Sequence, residues 1–259
     1  MARPLVEAWV IGWSENTEEY AASVEKLCNV PTRVLRLYNH ETVALNRALN
    51  LCQSPYCWQL FSDDTIIYPE TPHIMAEWMQ SHPKVAVMCP NREGEPRYTP
   101  YREPYRKYLA DNTAMLVRVL SGLRFDESFE FTGWSDLDFG LQAEWFGYEV
   151  HVETRVSMVK AHTAYGSWSS YRRAVGARNR LLLEAKWYWI GRAHWQGLTH
   201  YNESQANIGQ HIPTIYELCC WSNDELDAFC NSVDHEHPII RLQNGHNPGN
   251  REWAWPISR

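Results

Sequence analysis

The alternation of short apolar runs with amphipathic stretches constrains this chain more than any other feature. Leu5 to Ile11, Thr32 to Leu37 and Tyr56 to Phe61 read as strands, while Thr17 to Leu27 and Glu41 to Cys52 repeat apolar residues at helical spacing. This βαβαβ order predicts an α/β fold: a doubly wound, mostly parallel sheet flanked by helices, with ligands at the carboxyl ends of its strands. Tyr68-Pro69-Glu70-Thr71-Pro72 opens a helix to about Ser81 and Lys84 to Cys89 forms the next strand, so the sheet is expected to be complete by about residue 90. Downstream, Asn112 to Arg118 and Tyr148 to Val152 read as strands. Leu137 to Phe146, closed by Gly147, and the Arg-rich stretch from about Ser169 to His194 read as helices. Residues 195–259, with several Gly, Asn, His and Trp and weak periodicity, are expected to form a helical or irregular C-terminal appendage.

A chain of 259 residues accommodates one large α/β domain with such a tail. Its net charge of −7 implies no general attraction to nucleic acid or to anionic membrane surfaces. The 13 Trp and 14 Tyr exceed the needs of a core this size, and flat aromatic faces suit sugar rings or bases; large core aromatics are the plainer account. Seven scattered cysteines, odd in number, favour reduced thiols in a cytoplasm. No stretch approaches the about 20 apolar residues of a membrane span, so no integral membrane association is expected. Pro90 to Pro104 has a loop composition suited to cover the ligand edge, and the basic, aromatic stretch Arg97 to Tyr108 overlaps it. Cys219-Cys220 and Asp234 to His237 carry metal-ligating groups without zinc-site spacing.

Chemistry is concentrated in two acidic turns. Ser62-Asp63-Asp64-Thr65 follows the strand ending at Phe61, and Gly133-Trp134-Ser135-Asp136-Leu137-Asp138 opens a helix. At these residues the chain resembles glycosyltransferase family 2, whose members have the GT-A fold. Leu60-Phe61-Ser62-Asp63-Asp64-Thr65 before Pro69 is similar to the family's Leu-Asn-Asn-Asp-Thr strand end. Phe125-Asp126-Glu127, Ser135-Asp136-Leu137-Asp138 and Gly147-Tyr148 are similar to its Phe-Asp-Glu, Glu-Asp-x-Asp and Gly-Tyr blocks. His162 to Ser167, then Arg178-Asn179-Arg180, resemble its His, Gly-Ser and Arg-Asn-Arg series. The family's second acidic strand end has no counterpart, because Arg33 to Tyr38 runs almost directly into the Glu41 helix; the donor's base is therefore unassigned. Ser62 and Ser135 stand where the family has acids.

The resemblance implies a catalytic region over 1–194, with a donor half at about 1–90 and an acceptor half at about 110–194, and an appendage over 195–259. It implies an inverting transferase of hexosyl or pentosyl groups. A Mn2+ or Mg2+ ion, held by Asp64 and His162, would neutralise the charge developing on a departing nucleoside diphosphate. Asp136 corresponds to the base that takes the acceptor proton, and a helix N-terminus stabilises its anionic form. Asp138, about 200° further round the helix, cannot share that face, and a structural role is expected for it. Donor contacts are expected from Trp13, Ser14, Asn46, Ser62, Asp63, Arg178 and Arg180, and acceptor contacts from Gly133 and Trp134. The partners are then a nucleotide-sugar donor and a glycan, small-molecule or modified-DNA acceptor. Two other classes compete: a non-catalytic nucleotide- or sugar-binding protein of the same fold, and a nucleotidyltransferase, disfavoured by the missing Gly-rich loop.

Overall fold

The structure, a computed structural model, describes residues 3–12, 15–36, 41–62, 64–92, 114–130, 133–160, 169–194 and 210–233. These fall into two compact units, drawn from Met1–Glu127 with Asp136–His162 and from Ser128–Ser135 with Thr163–Arg259.

In the first unit the chain order is β1 (Val6–Gly12), α1 (Thr17–Cys28), β2 (Thr32–Arg36), α2 (Glu41–Leu51), β3 (Tyr56–Phe61), β4 (Asp64–Ile66), α3 (Thr71–Ser81), β5 (Val85–Arg92), β6 (Met115–Arg118), α4 (Ser135–Trp145) and β7 (Glu149–Lys160). The strands form one sheet in the order β2-β1-β3-β6-β5-β7-β4. β1 pairs in parallel with β2 and β3, and β5 in parallel with β7; β6 runs antiparallel to β3 and β5, and β4 antiparallel to β7. Five of the seven strands thus share one direction, as expected of a mostly parallel α/β sheet.

Both faces are covered, and every residue of β1 and β3 is buried. Side chains alternate between the faces. Ala8, Val10, Trp58 and Leu60 pack with Ala21 and Val24 of α1 and with Met75 and Met79 of α3. Trp9, Ile11, Cys57 and Phe61 pack with Leu45 and Leu49 of α2 and with Phe139 and Ala143 of α4. Glu7 interrupts the apolar run of β1 yet is only 3% exposed. Its Oε1 lies 2.7 Å from Arg33 Nε on neighbouring β2, and its Oε2 accepts from the Gln53 backbone N–H, so the buried charge is compensated.

The sheet is not complete at residue 90. β6 enters later, between β3 and β5, and β7 continues to Lys160, far beyond Val152. The three-residue β4 at the opposite edge is too short to leave a periodic signal.

In the second unit, α5 (Ser170–His194) packs against α6 (Ile215–Cys220) and α7 (Asn223–Ser232). Ala174 and Val175 of α5 meet Leu218, Leu226 and Cys230. Both short helices open with capping boxes, Thr214 with Glu217 and Ser222 with Glu225. The Thr214 backbone N–H and hydroxyl hold the Glu217 carboxyl below the usual carboxylate range, and Ser222 does the same to Glu225. The caps therefore support the helices at neutral pH, and lose that support as pH falls through the lowered values. Of the helical or irregular appendage expected over 195–259, these stretches are helical.

Candidate functional site

The parallel strands β1 and β3 end together, with Ile11 opposite Phe61. The Ser62 N–H donates to the Ile11 carbonyl at 3.1 Å, so the first residue of the acidic turn continues the sheet pairing. A Cβ added to Gly12 would lie 2.5 Å from Thr17 Oγ1 and 2.7 Å from Ser62 Oγ. Gly12 is therefore required by close approach: it lets the fully buried Thr17, which opens α1, come up against the strand ends. Gly12→Ala is expected to cost about 2 kcal/mol through overpacking, read as a lowered urea midpoint; an unchanged midpoint would contradict the close approach.

Asp64 lies two residues beyond Ser62 and is 2% exposed. Its Oδ2 accepts the Phe61 backbone N–H at 2.9 Å, which orients the carboxylate back against the end of β3. Its backbone pairs with Lys160 at the end of β7. Asn46, on α2, is buried and heavily engaged. Its Oδ1 accepts the Phe125 N–H at 2.8 Å, and its Nδ2 donates to the Phe125 carbonyl and Glu127 Oε1, each at 2.9 Å. The side chain predicted to touch a donor is thus a clamp on the Phe125-Asp126-Glu127 segment.

Asp136 occupies the first turn of α4, half-buried, with Oδ1 accepting the Leu137 N–H at 2.9 Å. Ser135 beside it is buried. Asp138 is fully buried and accepts from Gln142 Nε2 at 2.6 Å, a contact within α4. Two carboxylates in one helical turn thus have separate surroundings, as their spacing implies.

The second unit contains Gly133, Trp134, Arg178 and Arg180. Gly133 has φ +80° and Trp134 φ +70°. For a bulky residue that left-handed backbone costs about 1–3 kcal/mol, and persists only where its surroundings impose it. Three consecutive residues of α5 meet this loop. Arg178 donates from Nη1 to the Ser128 carbonyl at 3.0 Å, and from Nε to the Pro213 carbonyl at 2.9 Å. Asn179 Nδ2 donates to the carbonyls of Glu130 (2.7 Å) and Gly133 (3.4 Å). The Arg180 guanidinium lies 5.9 Å from the Trp134 ring centroid, and its Nε donates to Glu184 Oε1 at 2.7 Å with both side chains buried. Burial pushes the Arg178 guanidinium down from its usual value, although arginine stays charged in proteins. Both arginines predicted to meet donor phosphates are thus oriented by protein acceptors.

The predictions for Trp13, Ser14, Asp63 and His162 lie outside the described residues, as do those for Arg97 to Tyr108 and for Asp234 to His237. Of the loop expected over Pro90 to Pro104, the described residues Pro90 to Arg92 instead continue β5, whose pairing with β7 extends to Arg92. Among the described residues no three His, Cys, Asp or Glu side chains cluster as a metal site, and no helix is long and apolar enough to cross a membrane. None of the seven cysteines is in a disulfide; Cys219 and Cys220 are exposed. Sequence reasoning missed Thr17, Asn179 and Glu184. A glycine ending a strand before a helix pointed to the first, and the i, i+4 spacing of Arg180 and Glu184 to the last.

No protein-family model and no curated protein matches the chain. Among solved structures it is similar to the mannosyltransferase PcManGT from Pyrobaculum calidifontis, in complex with GDP-Man and Mn2+. The TM-score is 0.55 and the identity 12%, over 94% of this chain and 80% of that one. It is also similar to S. aureus TarS 1–349 in complex with UDP-GlcNAc, with a TM-score of 0.45, 16% identity and 77% of each chain covered. The likeness to the mannosyltransferase shows a shared fold.

Proposed function

We propose that the protein is a metal-dependent, inverting glycosyltransferase that moves a sugar from a nucleotide-sugar donor to an acceptor hydroxyl. The observation that carries this reading is Asp64: a carboxylate buried at the end of β3, held in orientation by the Phe61 N–H. A single carboxylate on a fixed strand end suits a hard cation that draws its other ligands from diphosphate oxygens and water. His162 follows by two residues the Lys160 that pairs with Asp64, and is the second ligand in this reading. Bound there, Mn2+ or Mg2+ would offset the negative charge growing on the departing diphosphate.

The protein's own part is acceptor activation. The Asp136 carboxylate takes the proton of the acceptor hydroxyl, whose oxygen bonds to the anomeric carbon as the carbon–oxygen bond to the diphosphate breaks. Attack opposite the leaving group inverts that carbon. Trp134, half-buried beside Gly133, supplies an aromatic surface for the acceptor sugar. Seven cysteines outside any disulfide accord with the cytoplasm as its compartment.

Thermal stability against nucleotide sugars including GDP-mannose and UDP-N-acetylglucosamine, with and without Mn2+, tests the donor site. A ligand at 100 times its Kd adds about 2.7 kcal/mol. One nucleotide family is expected to stabilise the protein only with Mn2+, and Asp64→Ala to lose the effect. Absence of any Mn2+-dependent stabilisation would overturn the reading. Ser62 and Ser135, where the resembled family has acids, favour a second one: a non-catalytic binding protein. Ligand stabilisation that survives both chelator and Asp64→Ala, without turnover, would select it.

A further inference from the structure

We infer that Asn179, Arg180 and Glu184 of α5, with Arg178, are positioning residues: they hold Trp134 in its left-handed backbone as a preset aromatic platform for the acceptor sugar. The platform role rests on the acceptor reading above; the clamp does not. Each residue grips a different point of one loop. Arg178 holds the Ser128 carbonyl, Asn179 the carbonyls of Glu130 and Gly133, and Arg180 approaches the Trp134 ring. The clamp is itself braced from within the helix. Asn179 Oδ1 accepts from Arg178 Nη1 at 3.0 Å, and Glu184 accepts from Arg180 one turn further on.

Burial explains why charged groups serve here. Asn179 is 0% exposed, Arg180 2% and Glu184 2%. An ion pair withdrawn from water has few alternative arrangements, so the guanidinium beneath Trp134 is held in one orientation. A tryptophan in left-handed backbone is strained, whereas glycine there is not. The loop therefore relies on Asn179 because of what stands at position 134. Preorganisation of this kind removes the ordering cost from acceptor binding.

The test uses the full chain labelled with 5-fluorotryptophan, its Trp134 line in the fluorine NMR spectrum assigned by Trp134→Phe. Asn179→Asp keeps the shape and the acceptor for Arg178 but cannot donate to the two carbonyls, and Glu184→Gln removes the brace's charge. Each is expected to shift or broaden the Trp134 line while the lines of Trp9 and Trp58 in the sheet stay in place. A Trp134 line unmoved by both variants would overturn the clamp. If Asn179→Asp folds poorly, it is compared in the Trp134→Gly background. There its loss of melting temperature should be smaller, because glycine accepts the backbone unaided; an equal loss in both backgrounds would overturn the inference.

For the platform, the readout is transfer from the nucleotide sugar that gave the Mn2+-dependent shift to a panel of methyl glycosides. Asn179→Asp should raise the acceptor KM by roughly tenfold, the scale of one weakened stacking contact, with the donor KM unchanged. An unchanged acceptor KM, or no transfer to any glycoside by the parent protein, overturns the platform role. Failure of the donor reading shows separately, as absence of the Mn2+-dependent shift.

Discussion

Asp136→Asn is expected to slow sugar transfer by about 10²–10⁴-fold while leaving the protein folded and still stabilised by donor with Mn2+. The amide has the same shape as the carboxylate, and its oxygen can still accept the Leu137 N–H that Asp136 Oδ1 accepts at 2.9 Å. The start of α4 is therefore kept, and Ser135 and Asp138, both buried, keep their surroundings. An amide has no basicity to receive the acceptor proton, so the loss falls on turnover rather than on donor affinity. Initial rates and the thermal shift measured on the same preparation separate the two. Full transfer by Asp136→Asn would remove this residue from the mechanism.

The largest effect on stability is expected at Arg118, far from any predicted site residue in sequence. Its guanidinium ends β6 by joining three elements. Nη2 donates to the Met79 carbonyl at 2.6 Å and the His82 carbonyl at 3.2 Å at the end of α3, and Nε to the Val85 carbonyl of β5 at 3.0 Å. Nη1 donates to the Tyr56 hydroxyl at 3.1 Å, and the cation lies 5.2 Å from the Tyr56 ring centroid. Basic groups at a helix C-terminus also meet the negative end of its dipole. Arg118→Ala leaves several partly buried carbonyls without this donor, and should cost about 3 kcal/mol, a large share of an ordinary domain's stability. In a chain of this size that corresponds to roughly 6–12 °C in melting temperature. Arg118→Lys should recover less than half, because an ammonium cannot span the same fork of acceptors. An unchanged melting temperature in Arg118→Ala would refute the clamp.

The legible part of the fold was the part governed by local periodicity. β1, α1, α2 and β3 lie within a residue or two of the stretches read from apolar spacing, because each buries one continuous stripe or a whole strand. The place of β6 was not legible. Met115, Leu116 and Val117 are apolar like any core strand, and the choice of neighbours is made by pairing across the sheet, Tyr56 to Arg118 on one side and Val87 to Val117 on the other. The capping boxes of α6 and α7 are written plainly as Thr-x-x-Glu and Ser-x-x-Glu, yet the helices were missed because they are too short for periodicity.

The same division runs through the candidate site. Residue types and spacing alone determined that Asp64 would follow a strand end and that Asp136 would open a helix, since both positions depend on contacts within a few residues. They also determined that Asp136 and Asp138 would not share a face. Only the tertiary structure decided that Asn46 clamps the Phe125 segment, that Gly12 yields room to Thr17 and Ser62, and that Arg178, Asn179 and Arg180 grip the loop carrying a left-handed Trp134. Arginine and asparagine side chains carry several donors at the end of a flexible stem, and which carbonyls they satisfy is set by chain segments tens of residues away. Distance along the chain conceals those partners, and burial then makes them obligatory.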